Sequence, residues 1–183
     1  MDVVKWLVTG IPGVGKTTCV MHIAQQVNRI PVVGFITREI RENGRRMGFF
    51  IEAFHGKKAL LAHRQKNSPW RVGQYFVFLN HLEAVINDLL NREKALGTQP
   101  RFYVIDEIGK MEALSPVFRQ WVENVMHSPW PVVATVALKG TGWIEAIKQL
   151  PQISILILTE KDRSYQCQKL DQQVQQWLLA AFS

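Results

Sequence analysis

A short glycine-containing segment near the amino terminus constrains the fold of this chain more than any other feature. The apolar run from Val3 to Val8 precedes it and predicts a parallel strand buried on both faces. The residues after it have the periodicity of a helix. The segment has the spacing G-x-x-x-x-G-K-[ST] of a phosphate-binding loop, or P-loop. Its residues are Gly10, Ile11, Pro12, Gly13, Val14, Gly15, Lys16 and Thr17.

The residue types of this loop explain how it would hold a phosphate. Glycine lets successive backbone N–H groups turn towards an anion, because a Cβ would block its close approach. We expect Lys16 to contact the β- and γ-phosphates and the Thr17 hydroxyl to bind Mg²⁺. A helix from Lys16 to about Asn28 would add its N-terminal partial positive charge. An ordinary glycine-rich turn is the competing interpretation, and the flanking strand and helix argue against it.

Length and charge indicate one domain with an anionic ligand. The 183 residues, 47% of them hydrophobic, predict a single domain over residues 1–183. The net charge of +7 suits a nucleotide and leaves nucleic acid open as a partner that we do not favour. The basic residues are scattered, apart from a cluster of Arg38, Arg41, Arg45 and Arg46.

The cysteines and the apolar runs bear on the cellular location of the protein. Two cysteines, Cys19 and Cys167, without a CxxC pair or zinc-ligand spacing, argue against a disulfide framework and a zinc site. We therefore expect a reducing, cytoplasmic location. The first strand leaves no room for a signal peptide, and no run approaches membrane-spanning length, so no membrane association is expected. We also expect a monomer.

A second segment with catalytic residue types is the apolar strand Arg101 to Glu107, which ends in two acids. A carboxylate at the carboxyl end of a strand is what a Walker B element uses to hold Mg²⁺, and we assign Asp106 to that role. Glu107 would then orient, or accept a proton from, the water that attacks the γ-phosphate. The alternative is an acid pair that only supplies charge to a helix N-terminus.

The remaining patterns predict an α/β fold with a small antiparallel extension. Alternating residues from Pro31 onwards, with Asn43-Gly44 between two runs, indicate a hairpin. Asn80 is a candidate N-cap of the next helix, and Ser115-Pro116 opens another. Further runs predict strands at 131–138 and 153–158, the second one buried, a helix from Thr141 to Leu150, and a last helix over about 163–181.

Five segments together resemble the cancer-related nucleoside-triphosphatase family of small P-loop proteins. They read GIPGVGKTT, GFITREIRENGRRMGFF, RVGQY, VIDEIGKME and TEKDR, in this order over nearly the whole chain. The resemblance implies a three-layer P-loop NTPase with a mainly parallel, RecA-like sheet. It also implies slow, Mg²⁺-dependent hydrolysis of several nucleoside triphosphates with little base selectivity.

Carried over to this sequence, the resemblance assigns the phosphates to Gly10–Thr17 with Thr18. It assigns Mg²⁺ to Thr17 and Asp106, and the water to Glu107. Arg163, in the TEKDR segment, is a candidate base contact. The chain departs from the family at Arg38, where an acid is usual, and at Asp162, where asparagine is usual.

We therefore expect Mg²⁺-dependent cleavage of the β–γ bond of ATP, GTP and other nucleoside triphosphates. The alternatives are a nucleoside or nucleotide kinase and an NTP-dependent nucleic-acid-binding factor. A cationic group must also stabilise the transition state. The candidates are Arg41, Arg45, Arg46, Arg71 and Arg163.

Overall fold

A mixed nine-stranded sheet with helices on both faces forms the part of the chain that the computed structural model describes, residues 4–54, 56–140 and 142–181. Its strands are β1 (Lys5–Thr9), β2 (Val32–Glu42), β3 (Arg45–Ala53), β4 (Lys58–His63), β5 (Trp70–Val72), β6 (Tyr75–Val77), β7 (Phe102–Ile108), β8 (Val132–Val136) and β9 (Ile153–Ile157). Its helices are α1 (Lys16–Gln26), α2 (Leu79–Leu96), α3 (Pro116–His127), α4 (Trp143–Lys148) and α5 (Arg163–Ala181), with a 3₁₀ turn at Glu112–Leu114.

The strand order places the P-loop strand and the acid-ending strand one strand apart. Five parallel strands lie in the order β9-β1-β8-β7-β2, so β8 separates β1 from β7. The carboxyl ends of these strands meet at one edge of the sheet, where open α/β folds bind ligands. The predicted α/β class with a mainly parallel P-loop core is confirmed.

The antiparallel strands β3 to β6 continue the same sheet beyond β2, so the predicted extension is not a separate sheet. A turn at Asn43 and Gly44 joins β2 to β3, as the sequence predicts. Strand β2 pairs with β7 only up to Phe35 and then extends beyond the end of β7. Pairing with β3 therefore holds the part of β2 that follows Phe35.

Two apolar layers fix the helices to the sheet. Helices α2, α3 and α4 cover one face, where Phe35, Phe118 and Trp121 are fully buried. Helices α1 and α5 cover the other face, and α5 contributes the buried stripe Leu170, Val174, Leu178. Full burial of each such side chain stabilises the fold by about 1.5–3 kcal/mol. This second layer sets α5 beside the helix that follows the P-loop.

A disulfide between Cys19 and Cys167 joins these two helices and corrects the prediction that the cysteines stay unpaired. Cys19 is the fourth residue of α1, and Cys167 lies in the second turn of α5. Their Cα atoms are 5.6 Å apart, which is an ordinary separation for a disulfide. The packing of α5 against α1 brings together two residues that are 148 positions apart in sequence.

Two smaller predictions are also wrong. Strand β9 is not buried but lies at the edge of the sheet, where Ile155 and Ile157 are 43% and 57% exposed. Helix α2 begins at Leu79, so Asn80 lies inside it and does not cap it. By contrast, Ser115 caps α3 as predicted, because its hydroxyl accepts a hydrogen bond from the Phe118 N–H.

Some predicted boundaries fall on residues outside the described part of the chain. These are Val3, the predicted start of the first strand, His55, for which the sequence His55-Gly56 predicts a turn, and Thr141, the predicted start of a helix. Within the described residues, none of the helices combines the length and apolarity that a membrane crossing requires.

Candidate nucleotide site

The P-loop lies at the carboxyl end of β1 and leads directly into α1. Gly13 and Gly15 have φ angles of 81° and 105°, a left-handed backbone that glycine adopts without strain. No side chain caps the start of α1. The first N–H groups of the helix therefore remain available to an anion, in addition to the partial positive charge of the helix end.

Lys16 is folded back onto its own loop. Its Nζ donates to the carbonyl oxygens of Gly10 (3.1 Å) and Ile11 (3.4 Å). These carbonyl groups solvate the ammonium group and keep it at the mouth of the loop. A phosphate that enters the loop would offer the ammonium a stronger, charge-assisted partner.

Asp106 lies beside the P-loop, and its carboxylate is surrounded by hydroxyl groups. The side chain is 1% exposed. The hydroxyl of Thr17 lies 3.0 Å from Oδ1 and 2.9 Å from Oδ2. The backbone N–H and the hydroxyl of Thr37 both lie 3.2 Å from Oδ2, and the hydroxyl of Thr135 donates to Oδ1 at 2.6 Å. The structure thus brings together the two residues to which the sequence assigns Mg²⁺.

Thr37 and Thr135 were not among the predicted site residues. Thr37 lies in β2 and Thr135 in β8, the strands on either side of β7. Each is a threonine near the point where the parallel part of its strand ends, just after Phe35 in β2 and one residue before the end of β8. This signal becomes informative only when the strand order is known, because the order determines which strands border Asp106.

Glu107 follows Asp106 and is half-buried at the same edge of the sheet. Burial raises the pKa of its carboxyl; nearby Lys16 lowers this pKa, and Asp106 raises it further. A carboxylate with a raised pKa accepts a proton more readily than an exposed one.

A cavity of about 600 Å³ opens next to the P-loop, between α1 and α5. The Cys19–Cys167 disulfide contributes to its wall. Arg163, the first residue of α5, also lines it, and its Cδ would lie 3.9 Å from a Cβ at position 15. The lining is Gly15, Thr18, Cys19, His22, Leu158, Arg163, Ser164, Cys167, Gln168 and Asp171.

Several other candidate arginines have partners away from the loop. In the β2–β3 hairpin, the candidates Arg41 and Arg46 pair with Glu39, and the neighbouring Arg38, which is not one of the candidates, pairs with Glu52. Arg71 lies in β5, where its Nε donates to the Gly73 carbonyl at the far end of the sheet. The structure therefore brings Arg163, but not Arg71, next to the P-loop.

The oxygen atoms of Thr17 and Asp106 fit Mg²⁺. This ion prefers oxygen ligands and is usually held by one or two protein groups together with waters and substrate phosphates. A hydroxyl and a carboxylate already within 3.0 Å of each other, beside a loop shaped for phosphate, match that description. In the described residues, no group of three or more His, Cys, Asp or Glu side chains could hold a metal by itself.

Comparison with known proteins agrees with this geometry. The profile of the family described as NTPase matches residues 5–171. The chain is 40% identical over 160 residues to nucleoside-triphosphatase THEP1 of Thermotoga sp. (strain RQ2), which covers 87% of this chain and 89% of that protein. The chain belongs to the NTPase family.

Two further relatives extend the family match to humans and to a solved structure. The human cancer-related nucleoside-triphosphatase is 35% identical over 170 residues, 86% of this chain and 89% of the human protein. The crystal structure of THEP1 from the hyperthermophile Aquifex aeolicus matches with a TM-score of 0.80 at 34% identity. That match covers 91% of this chain and 96% of the solved one. The resemblance inferred from five sequence segments is confirmed.

The segments that resemble the family occupy defined positions in the fold. GIPGVGKTT forms the P-loop and the start of α1, and VIDEIGKME runs from β7 into the 3₁₀ turn. GFITREIRENGRRMGFF forms the β2–β3 hairpin, whose Thr37 contacts Asp106. Three segments that are distant in sequence therefore meet at one edge of the sheet.

Proposed function

We propose that this chain hydrolyses nucleoside triphosphates, in the presence of Mg²⁺, at the bond between the β-γ bridging oxygen and the γ-phosphorus. The observation that carries the proposal is the direct contact of the Thr17 hydroxyl with the Asp106 carboxylate at the mouth of a P-loop. The names of the family members, nucleoside-triphosphatases, support the same reaction class.

The triphosphate would bind with its β- and γ-phosphates in the loop Gly10 to Thr17. Backbone N–H groups and the α1 terminus would surround the phosphate oxygens, and Lys16 would leave its loop carbonyls to pair with them. Thr17 and Asp106 would hold Mg²⁺, which supplies further neutralisation of the charge on the phosphates. Thr37 and Thr135 would keep Asp106 in place by their hydrogen bonds.

Glu107 would orient the attacking water and accept its proton. The water oxygen forms a bond to the γ-phosphorus while the bond to the bridging oxygen breaks, which gives a nucleoside diphosphate and phosphate. The charge of Lys16 lowers the pKa of Glu107, and Lys16 would stabilise negative charge on the transferred group. Arg163 is the arginine we propose as an additional nucleotide contact, because it lines the cavity next to Gly15.

The cavity between α1 and α5 would receive the nucleoside. Its lining contains the Gln168 amide, which both donates and accepts hydrogen bonds, and no Phe, Tyr or Trp side chain on which a base could stack. We also propose the low base selectivity and the slow turnover that the resemblance to the family implies.

Two variants and one reaction condition test this function. Lys16→Ala should abolish nucleotide binding in calorimetry, and Glu107→Gln should bind a triphosphate with Mg²⁺ yet lose turnover. Incubation with ATP alone separates hydrolysis from the kinase alternative, because a kinase without an acceptor releases almost no phosphate. Full phosphate release by Glu107→Gln would assign the water to another residue, and unchanged binding by Lys16→Ala would overturn the proposal as a whole.

A further inference from the structure

Glu112 is a buried acid that the reaction described so far does not use. It begins the 3₁₀ turn after β7 and is only 5% exposed. None of the ion pairs found between described residues includes it. Because an ionised carboxylate without a cation is costly to bury, Glu112 is expected to be neutral in the folded protein.

The Glu112 carboxyl and the Glu107 carboxyl reach the same small volume, next to Gly109. A Cβ on residue 109 would lie 2.8 Å from Glu112 Oε2 and 3.0 Å from Glu107 Oε1. The two oxygens are therefore at most about 6 Å apart. Glycine at this position leaves the space between the two carboxyl groups free.

A neutral carboxyl group has one hydrogen to donate, and Glu107 offers an acceptor nearby. Glu112 is almost fully buried in the 3₁₀ turn, and its surroundings restrict the side chain. Glu107, in contrast, lies at the end of β7 with part of its side chain open to solvent. A fixed donor beside a less restrained acceptor can set the orientation of the acceptor.

We propose that Glu112 is a positioning residue, whose neutral carboxyl donates a hydrogen bond to Glu107 and keeps the Glu107 carboxylate turned towards the attacking water. This inference rests on the proposed role of Glu107. It assigns Glu112 an effect on the rate of hydrolysis and none on nucleotide binding, because Glu112 does not line the cavity next to the P-loop.

The electrostatic surroundings agree with a neutral Glu112. Burial above all, together with the charges of Glu107 and Asp106, raises the pKa of Glu112 to about 8, although nearby backbone N–H groups lower it. At neutral pH the Glu112 carboxyl therefore keeps its hydrogen, and the donor is lost when Glu112 ionises.

The experiment compares two substitutions of Glu112 in the full chain. Glu112→Leu removes the donor, and we expect kcat to fall about 100-fold, as expected when a reacting group is misplaced by about 1 Å. KM and the affinity for a non-hydrolysable ATP analogue should stay the same. Glu112→Gln keeps an N–H donor, so its kcat at pH 7 should remain within about threefold of wild type.

The pH profile separates positioning from a purely structural role. Above pH 8 the wild-type kcat should decline relative to that of Glu112→Gln, which has no proton to lose. Gly109→Ala is an independent probe, because its methyl group would enter the space between the two carboxyl groups, and it should also lower kcat at unchanged nucleotide affinity. Identical pH profiles for wild type and Glu112→Gln, or full turnover in Glu112→Leu, would overturn the proposal.

Measuring Glu107→Gln in the same assay tests the proposed role of Glu107 separately from that of Glu112. If Glu107→Gln is inactive and Glu112→Leu is fully active, only the positioning role fails. If Glu107→Gln retains full turnover, the proposed role of Glu107 fails, and the role of Glu112 fails with it. If Glu112→Leu does not fold, the pH profile of Glu112→Gln and the turnover of Gly109→Ala decide between positioning and structure.

Discussion

The covalent link between α1 and α5 should contribute strongly to stability. Cys19 and Cys167 are 148 residues apart, so their disulfide closes most of the chain into one loop. In the chain-entropy treatment, closing a loop of this length destabilises the unfolded state by about 5 kcal/mol. For a protein of this size each kcal/mol shifts Tm by about 2–4 °C, so reduction should lower Tm by about 10–20 °C.

Thermal unfolding followed by circular dichroism, with and without a phosphine reductant, measures this shift. Cys167 is partly exposed, which gives the reductant access to the bond. The matched control is the double variant Cys19→Ala, Cys167→Ala. Its Tm should equal that of the reduced wild type and should not respond to the reductant. Alkylation followed by mass spectrometry counts the free thiols in each sample.

Two results would refute this reasoning. Rapid alkylation of both cysteines in the untreated, unfolded protein would show that the bond is absent. An unchanged Tm after complete reduction, confirmed by the thiol count, would show that closure of the loop does not stabilise the fold. A fall of only a few degrees would mean that residual structure in the unfolded chain already limits its entropy.

Three further predictions concern single side chains. Glu112 has a folded pKa of about 8, above its ordinary 4.5. The metal-free protein should therefore lose up to about 5 kcal/mol of stability as pH rises from 4.5 to 8, and Glu112→Gln should abolish that loss in urea titrations. A slope that persists in the variant contradicts this assignment. Thr135→Val removes a donor to Asp106 and should weaken Mg²⁺ binding to the nucleotide complex about 10–100-fold; an unchanged Mg²⁺ titration contradicts it. Lys5 is 1% exposed and donates to the carbonyl oxygens of Val125 and Ser128. Lys5→Met leaves these carbonyls without their donor and should lower the free energy of unfolding by about 1–3 kcal/mol. A gain in stability would refute this prediction.

Local signals were sufficient for the features that lie within one stretch of sequence. The P-loop spacing, the Asn43-Gly44 turn and the Ser115 cap are each determined by residues within a few positions of one another. All three appear in the structure as predicted. The acid at the end of β7 was also identified from its strand, because a buried run that ends in Asp106 implies a position at the sheet edge.

Features that depend on which elements become neighbours could not be predicted in this way. An apolar run such as Ile153 to Ile157 looks the same for a buried strand and for an edge strand, and only the strand order places β9 at the edge. The disulfide likewise depends on α5 packing against α1. The roles of Thr37 and Thr135 depend on β2 and β8 bordering β7.

The two halves of the candidate site differ in how far they are organised without a nucleotide. Asp106 accepts hydrogen bonds from hydroxyl groups of α1, β2 and β8, so its carboxylate is held in place without a bound ligand. Lys16 is bonded to the carbonyls of its own loop, and we expect it to exchange these bonds for bonds to phosphate oxygens. Nucleotide binding should therefore rearrange the loop side of the site and leave the strand side in place. We expect the movement to be confined to the loop between β1 and α1, because Asp106, Thr37 and Thr135 lie on three neighbouring strands of one hydrogen-bonded sheet.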